Sequence, residues 1–219
     1  MSTISKENYL KEIFNHKFTE GDSATTVKLA QKLSVSNAAI SDMAKKLSKE
    51  GLISYEKYKG MGLTAEGEKL ALKVIRKHRL WELFLIKSLD ISWSEVHDQA
   101  EKLEHNTSDF LIDKIDEYLG FPEFDPHGHP IPQKNGSLPK SPKVISLAEC
   151  EKGVKYKFVQ VNDRDNELIA YLTKVGLILN TEFEIIDKLE FDKSFTIKFG
   201  TETLSISQKI SESVFVKSL

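Results

Sequence analysis

Apolar positions repeat with a helical period from the N-terminus to about residue 119, and change to a strand-like alternation from about residue 143. Tyr9, Leu10, Ile13 and Phe14 form one face of a helix predicted over residues 5–17, with Ser5 as its N-cap. Thr25 or Thr26 caps a second helix, whose inward residues are Val27, Leu29, Ala30 and Leu33. A tight Ser34-Val35-Ser36 connection leads to a third helix over Asn37–Glu50, with Ile40, Met43, Ala44 and Leu47 inward and Gly51 as the C′ residue. Residues 52–63 predict a two-stranded wing. Thr64 caps a long helix to about Lys87, and Ser94 to Asn106 and Ser108 to Leu119 predict two more.

All six prolines fall between Pro122 and Pro142, together with Gly128, Gly136 and Ser137. This stretch reads as an extended linker and a domain boundary. Beyond it, Tyr156 to Val161, Glu182 to Ile186, Phe195 to Phe199 and Val214 to Val216 predict short strands, and Asn166 to Val175 one helix. The expected fold class is therefore a mainly α N-terminal part containing a winged helix-turn-helix, followed by a small β-rich SH3-like barrel. The expected domains are 1–64 (winged helix-turn-helix), 65–121 (helical), 122–143 (Pro-rich linker) and 144–219 (barrel).

Composition narrows the class. The 219 residues are 40% hydrophobic, enough to bury a core. No apolar run approaches the roughly 18 residues of a membrane span, and the charged N-terminal helix lacks a signal peptide's apolar stretch. A lone cysteine, Cys150, cannot make an internal disulfide; it reads as a plain buried or half-buried thiol in a cytoplasmic protein. No nucleophile–base pair, Gly-rich phosphate loop or nucleotide motif stands out, so no enzyme is expected, and no small organic substrate or membrane partner.

The net charge of -2 hides a polarity along the chain. Lys28, Lys32, Lys45, Lys46, Lys49, Lys57 and Lys59 outweigh Asp42, Glu50 and Glu56, a local +4 over residues 28–59. Between His97 and Asp125 nine carboxylates face Lys102 and Lys114, a local -7. Solvated helix faces account for many such runs; here a basic segment followed by an acidic one suits DNA first and cations second. The third helix opens with Ser36, Asn37, Ala38, Ala39, Ser41 and Asp42. Short side chains at the start of a recognition helix let the backbone approach base edges in the major groove. Lys45, Lys46, Lys57 and Lys59 would sit near phosphates, which give affinity and salt dependence but no sequence information. Double-stranded operator DNA is the expected partner.

Histidines also stand in helical phase with carboxylates, in the acidic segment and just before it. His78 and Glu82 are spaced i, i+4; His97, Glu101, Glu104 and His105 are spaced i, i+4, i+7, i+8. Such spacings bring side chains to one face. Six N and O donors on two neighbouring helices form a metal-site pattern, and Asp125 and His127 add two more. Oxygen and imidazole donors without thiolate suit Mn²⁺ or Fe²⁺ and tolerate Zn²⁺, Co²⁺ or Ni²⁺ in vitro. The bland alternative is a constitutive winged-helix regulator whose donors are structural ion pairs.

The segments 76–82 (Arg-Lys-His-Arg-Leu-Trp-Glu), 96–105 (Val-His-Asp-Gln-Ala-Glu-Lys-Leu-Glu-His) and 125–132 (Asp-Pro-His-Gly-His-Pro-Ile-Pro) resemble the iron- and manganese-dependent repressors of the diphtheria toxin repressor family. The resemblance covers essentially the whole chain, and the C-terminal part resembles the FeoA-like SH3 domain of longer members. It implies a cytoplasmic homodimer that binds palindromic operators when charged with metal, residues 65–121 being the metal-binding and dimerisation domain. By position, it implies a primary site of Glu101, Glu104, His105 and a first-helix residue that falls at Asn8, a neutral amide where manganese members have Asp and iron members Met. Glu101 stands where the iron branch has Cys, and Lys11 where some short manganese members have another Glu ligand. The implied second site is His78, Glu82 and His97, joined by Asp125 and His127, with Asp165 as the nearest barrel ligand and Asp163 as the fallback. Ser36, Ala38, Ala39, Ser41 and Asp42 occupy the family's base-contact positions.

Overall fold

The computed structural model describes residues 3–21, 23–56, 60–163 and 165–219. The helices are α1 (Thr3–Glu20), α2 (Thr26–Lys32), α3 (Asn37–Lys49), α4 (Ala65–Leu89), α5 (Val96–Glu104), α6 (Asp109–Tyr118), α7 (Asn166–Lys174) and α8 (Gln208–Ser213). The strands are β1 (Ile53–Glu56), β2 (Gly60–Leu63), β3 (Ile145–Ser146), β4 (Lys155–Val161), β5 (Glu182–Lys188), β6 (Phe195–Phe199), β7 (Glu202–Ile206) and β8 (Val214–Ser218). They group into two compact units. The first comprises Met1–His78, Lys102–Asp113 and Pro132–Ser137; the second comprises Arg79–Glu101, Lys114–Ile131 and Leu138–Leu219.

In the first unit, capping residues set the helix starts. Thr25 accepts from the amide of Lys28, Ser36 from that of Ala39 and Thr64 from that of Gly67. Each satisfies an amide that has no partner inside its own helix. Ser34, at a positive φ of 53°, makes the turn between α2 and α3. Ile40, Ala44 and Leu47 of α3 are fully buried with Leu10 and Ile13 of α1 and Leu29 of α2. Burial of a Leu or Ile side chain contributes about 1.5–3 kcal/mol, and this stripe fixes which face of α3 stays outside. β1 and β2 pair antiparallel, Ile53 opposite Leu63, as the base of the wing.

The second unit holds a six-stranded antiparallel sheet in the order β3-β8-β4-β5-β6-β7. Bulges between Phe158 and Gln160 in β4, and between Ile185 and Asp187 in β5, bend it. Phe158, Phe195, Ile185, Ile197, Val214 and Val216 fill its core with Ile169 and Leu172 of α7.

Several expectations shift. α1 starts at Thr3, so Ser5 lies inside the helix; helix ends commonly move by a residue or two. α5 starts at Val96, because the Ser92 carbonyl, not Ser94, takes the Val96 amide. β3, β7 and α8 were not legible; in β7 only Leu204 and Ile206 are apolar, too few to stand out as a strand. The largest correction concerns the proline stretch, whose first half is a folded loop. Asp125 Oδ1 accepts from the amides of His127 and His129, Phe124 bridges Pro130, and Asp125, His127 and Ile131 are buried.

Candidate metal centre

The second unit brings acids and histidines together from four segments. α4 supplies Arg79 and Glu82, one helical turn apart; α5 supplies His97; the folded loop supplies Asp125, His127 and His129; the turn after β4 supplies Asp163. Glu82 is fully buried. Its Oε1 lies 3.3 Å from His97 Nδ1, and its Oε2 3.6 Å from His127 Nδ1. Asp163 Oδ2 lies 3.6 Å from His129 Nδ1 and 4.0 Å from both His97 and His127 Nδ1. Glu82, Asp125 and His127 each offer a ligand atom within 4.8 Å of the others, as do Glu82, His97 and Asp163. The His127 ring stacks on Trp93 at 5.7 Å, and its carbonyl accepts from the Val161 amide at 3.0 Å, so both ring and backbone are held.

Burial alone would favour neutral His127, but the nearby Glu82 carboxylate and then the charges of Asp125 and Asp163 push it up to about 9. Burial likewise opposes ionisation of Asp163, and the His129, His127 and His97 charges outweigh burial and Glu82 to hold it below the ordinary carboxylate range. Arg79 is almost fully buried; burial lowers its pKa, against the charges of Asp125, Asp163 and Glu82. It stays charged, approaches Asp125 Oδ2 at 3.5 Å and donates to the Pro130 carbonyl, clamping both ends of the loop.

The donors fit a divalent cation. Asp125 Oδ2, His127 Nδ1 and His129 Nδ1 are buried with no hydrogen-bond partner among the described residues. Buried polar atoms are rarely left this way, and these three are ligand types. Cys150 is not one of the donors. It is buried in the barrel against the Ser146 carbonyl, and burial pushes its thiol up to about 11.

The first unit holds a second cluster around Glu104, which is buried at the end of α5. Its Oε2 lies 2.6 Å from His78 Nδ1, and its Oε1 2.6 Å from Lys11 Nζ and 3.1 Å from His105 Nε2. Burial opposes ionisation, but His78 and then Lys11 hold the carboxyl below its usual range. His105 Nδ1 pairs with Glu7 at 2.6 Å. Asn8 Oδ1 is buried without a hydrogen-bond partner among the described residues. Glu101, the last residue of its segment in the second unit, is half-buried.

His78 Nδ1 also hydrogen-bonds Glu104. Asp165 is a correction: its Oδ1 caps α7 by accepting from Glu167 and Leu168, and its Oδ2 faces Lys209. Asp163, two residues earlier, faces the histidines instead. His129 was missed as a donor; its signal was the Asp-Pro-His-Gly-His spacing, in which only Asp125 and His127 were read as donors. On α3, Ser36, Asn37, Ala38, Ala39, Asp42, Lys45 and Lys46 are exposed, and Ser41 is half-buried with its hydroxyl donating to the Asn37 carbonyl. Asp42 pairs with Lys45 at 3.3 Å, which moderates its repulsion of phosphate. Lys57 and Lys59 lie outside the described residues.

A winged helix-turn-helix, a helical segment carrying buried His and carboxylate donors and a small antiparallel β-domain are together the plan of the metal-dependent transcriptional regulators. Family models match in the same order: "iron dependent repressor, N-terminal DNA binding domain" over residues 1–61, "iron dependent repressor, metal binding and dimerisation domain" over 64–133 and "FeoA domain" over 145–218. A solved manganese-dependent transcriptional repressor in complex with manganese is similar at a TM-score of 0.92 and 33% identity, over 98% of this chain and 100% of that one. The regulator MntR of Lysinibacillus sphaericus is 32% identical over 126 residues, 58% of this chain and 89% of that one. The diphtheria toxin repressor of Corynebacterium efficiens is 28% identical over 192 residues, 83% of each chain. The chain belongs to the iron-dependent repressor family.

Proposed function

We propose that this protein is a metal-activated DNA-binding repressor of metal-uptake genes, working in the cytoplasm as a homodimer on palindromic operators, with Mn²⁺ or Fe²⁺ as its effector. The observation that carries the reading is the buried convergence of Glu82, Asp125 and His127, with ligand atoms on Asp125 and His127 lacking hydrogen-bond partners among the described residues. Glu82, His97 and Asp163 would hold one ion, with Asp125, His127 and His129 beside them. Asn8, Glu104 and His105 would belong to the other site on the family pattern. A bound divalent ion neutralises carboxylates that otherwise repel one another. Exposed Phe110, Leu111 and Tyr118 on α6 give a second copy an apolar face to cover, and α3 presents its short residues to a major groove. Metal and DNA then favour each other's binding reciprocally.

The test is fluorescence anisotropy with DNA from the protein's own promoter region, in chelator and then with Mn²⁺ or anaerobic Fe²⁺. Binding is expected only with metal, and to weaken steeply with added salt. Equal binding in chelator would make the protein a constitutive regulator.

Protonation gives a separate check. His127, at about 9, carries a proton near pH 7 that a ligated metal must expel. Metal binding is therefore expected to release about one proton, and affinity to rise about tenfold per pH unit up to about pH 9. In chelator the sign reverses. The Glu82–His127 pair stabilises the fold fully below about pH 6.5, and this is lost as pH rises through about 9. Calorimetric Mn²⁺ titration in buffers of different ionisation enthalpy counts the proton; none released near neutrality would remove His127 from the ligand set.

A further inference from the structure

Both oxygens of the buried Glu104 carboxylate are engaged within the first unit, and one of the groups engaging them is an ammonium. Lys11 Nζ stands 2.6 Å from Oε1, and Lys11 is only 8% exposed. Lysine is almost never buried unless paired, so burial of this side chain depends on carboxylate partners such as Glu104. Lys11 comes from α1, one turn after Asn8, whose buried Oδ1 has no hydrogen-bond partner among the described residues. Glu7, one turn before Lys11, reaches His105 Nδ1 at 2.6 Å. Two ion pairs therefore already fasten α1 to the end of α5, and one of them places a cation on the carboxylate that the metal-activated reading assigns as a ligand.

We propose that Lys11 is a tethered competitor for the Glu104 metal site, and that it sets how much free divalent metal this site needs. The inference rests on the metal-activated reading above. An ammonium is a compact point charge, and two cations cannot share one carboxylate oxygen in a buried site without strong mutual repulsion. Loading the site therefore requires Lys11 to leave Glu104 Oε1. The lost contact is a charge-assisted hydrogen bond, the stronger class. Among the described residues, the cation against the second unit's carboxylates is Arg79, 3.5 Å from Asp125 Oδ2, rather than a lysine.

The experiment is Mn²⁺ titration of the full chain, with free ion followed by electron paramagnetic resonance. Wild type should show two binding events of unequal affinity. Lys11→Met should tighten the weaker one by roughly tenfold to a hundredfold and leave the other within about twofold. Lys11→Arg, which keeps the charge, should stay close to wild type. Lys11→Gln, similar in length and neutral, should shift in the same direction as Lys11→Met and serves if the Met variant fails to fold. Glu104→Gln should remove the weaker event and abolish the effect of Lys11→Met. In chelator, Lys11→Met should melt lower than wild type, and Mn²⁺ should raise its melting temperature by more. Unchanged or weakened Mn²⁺ binding in both neutral variants overturns the competitor role and leaves the repressor reading standing; no Mn²⁺ uptake by wild type overturns both.

Discussion

Glu82→Gln is expected to erase the metal response while leaving the protein folded. Glu82 is fully buried, belongs to both donor groups of the second unit and faces His97 with one oxygen and His127 with the other. Glutamine keeps the shape and one acceptor but gives up the charge and the second oxygen. Losing a carboxylate ligand to a hard or borderline cation removes the strongest attraction in the site. The buried Arg79 keeps Asp125 and Asp163 as counter-charges, so the substitution does not strand a cation. Allosteric couplings of this kind usually span about 1–3 kcal/mol, roughly 5–150-fold in affinity. The Mn²⁺-dependent gain in DNA affinity should fall from that range to within about twofold, measured by anisotropy with and without chelator. A gain that persists at wild-type size would remove Glu82 from the sensing site. His127→Ala should lose the same response but also melt lower, because the alanine abandons the stack on Trp93.

How much of this could be read from the chain depended on how local each signal is. The helix-turn-helix was legible because Thr25 and Ser36 cap their helices from within four residues, and because Ile40, Ala44 and Leu47 repeat on one face. His97, Glu101, Glu104 and His105 were found by helical phase, but phase says only that side chains share a face, not which partner each meets. His78 shows the limit, since its bond to Glu104 spans 26 residues and was invisible to spacing. The barrel ligand was harder still. Asp163 and Asp165 differ by two positions in a turn, and only the start of α7 decides that Asp165 is spent on capping. The Asp125–His129 loop was taken for a linker because proline and glycine mark turns and linkers alike. What folds it is Asp125 accepting from two amides, a contact that composition does not reveal.

Gly128→Ala is expected to cost both stability and metal binding although the residue ligates nothing. Gly128 sits between His127 and His129 at a φ of +86°, and a Cβ there would stand 2.0 Å from the Val159 carbonyl oxygen and 2.9 Å from Gln160 Cα. Both are backbone atoms of β4, so neither can swing aside; the loop itself must lift. Lifting breaks the Val161-to-His127 hydrogen bond and carries both imidazoles away from Glu82 and Asp163. Left-handed strain in a non-glycine residue costs about 1–2 kcal/mol, and forced repacking commonly adds about 1–3 kcal/mol. Functional geometry tolerates only about 0.5 Å of looseness, so Mn²⁺ affinity at this site should fall by more than about tenfold. Gly153→Ala separates the two causes: its φ is +80°, but nothing lies within 4 Å of the added Cβ. It should therefore lose about 1–2 kcal/mol of stability with no change in metal binding. Thermal melts in chelator and Mn²⁺ titrations of both variants test this directly. If Gly128→Ala behaves like Gly153→Ala, close docking of the loop on β4 is not what places the histidines. If only Gly128→Ala loses metal, the missing Cβ at this position is part of how the site is built.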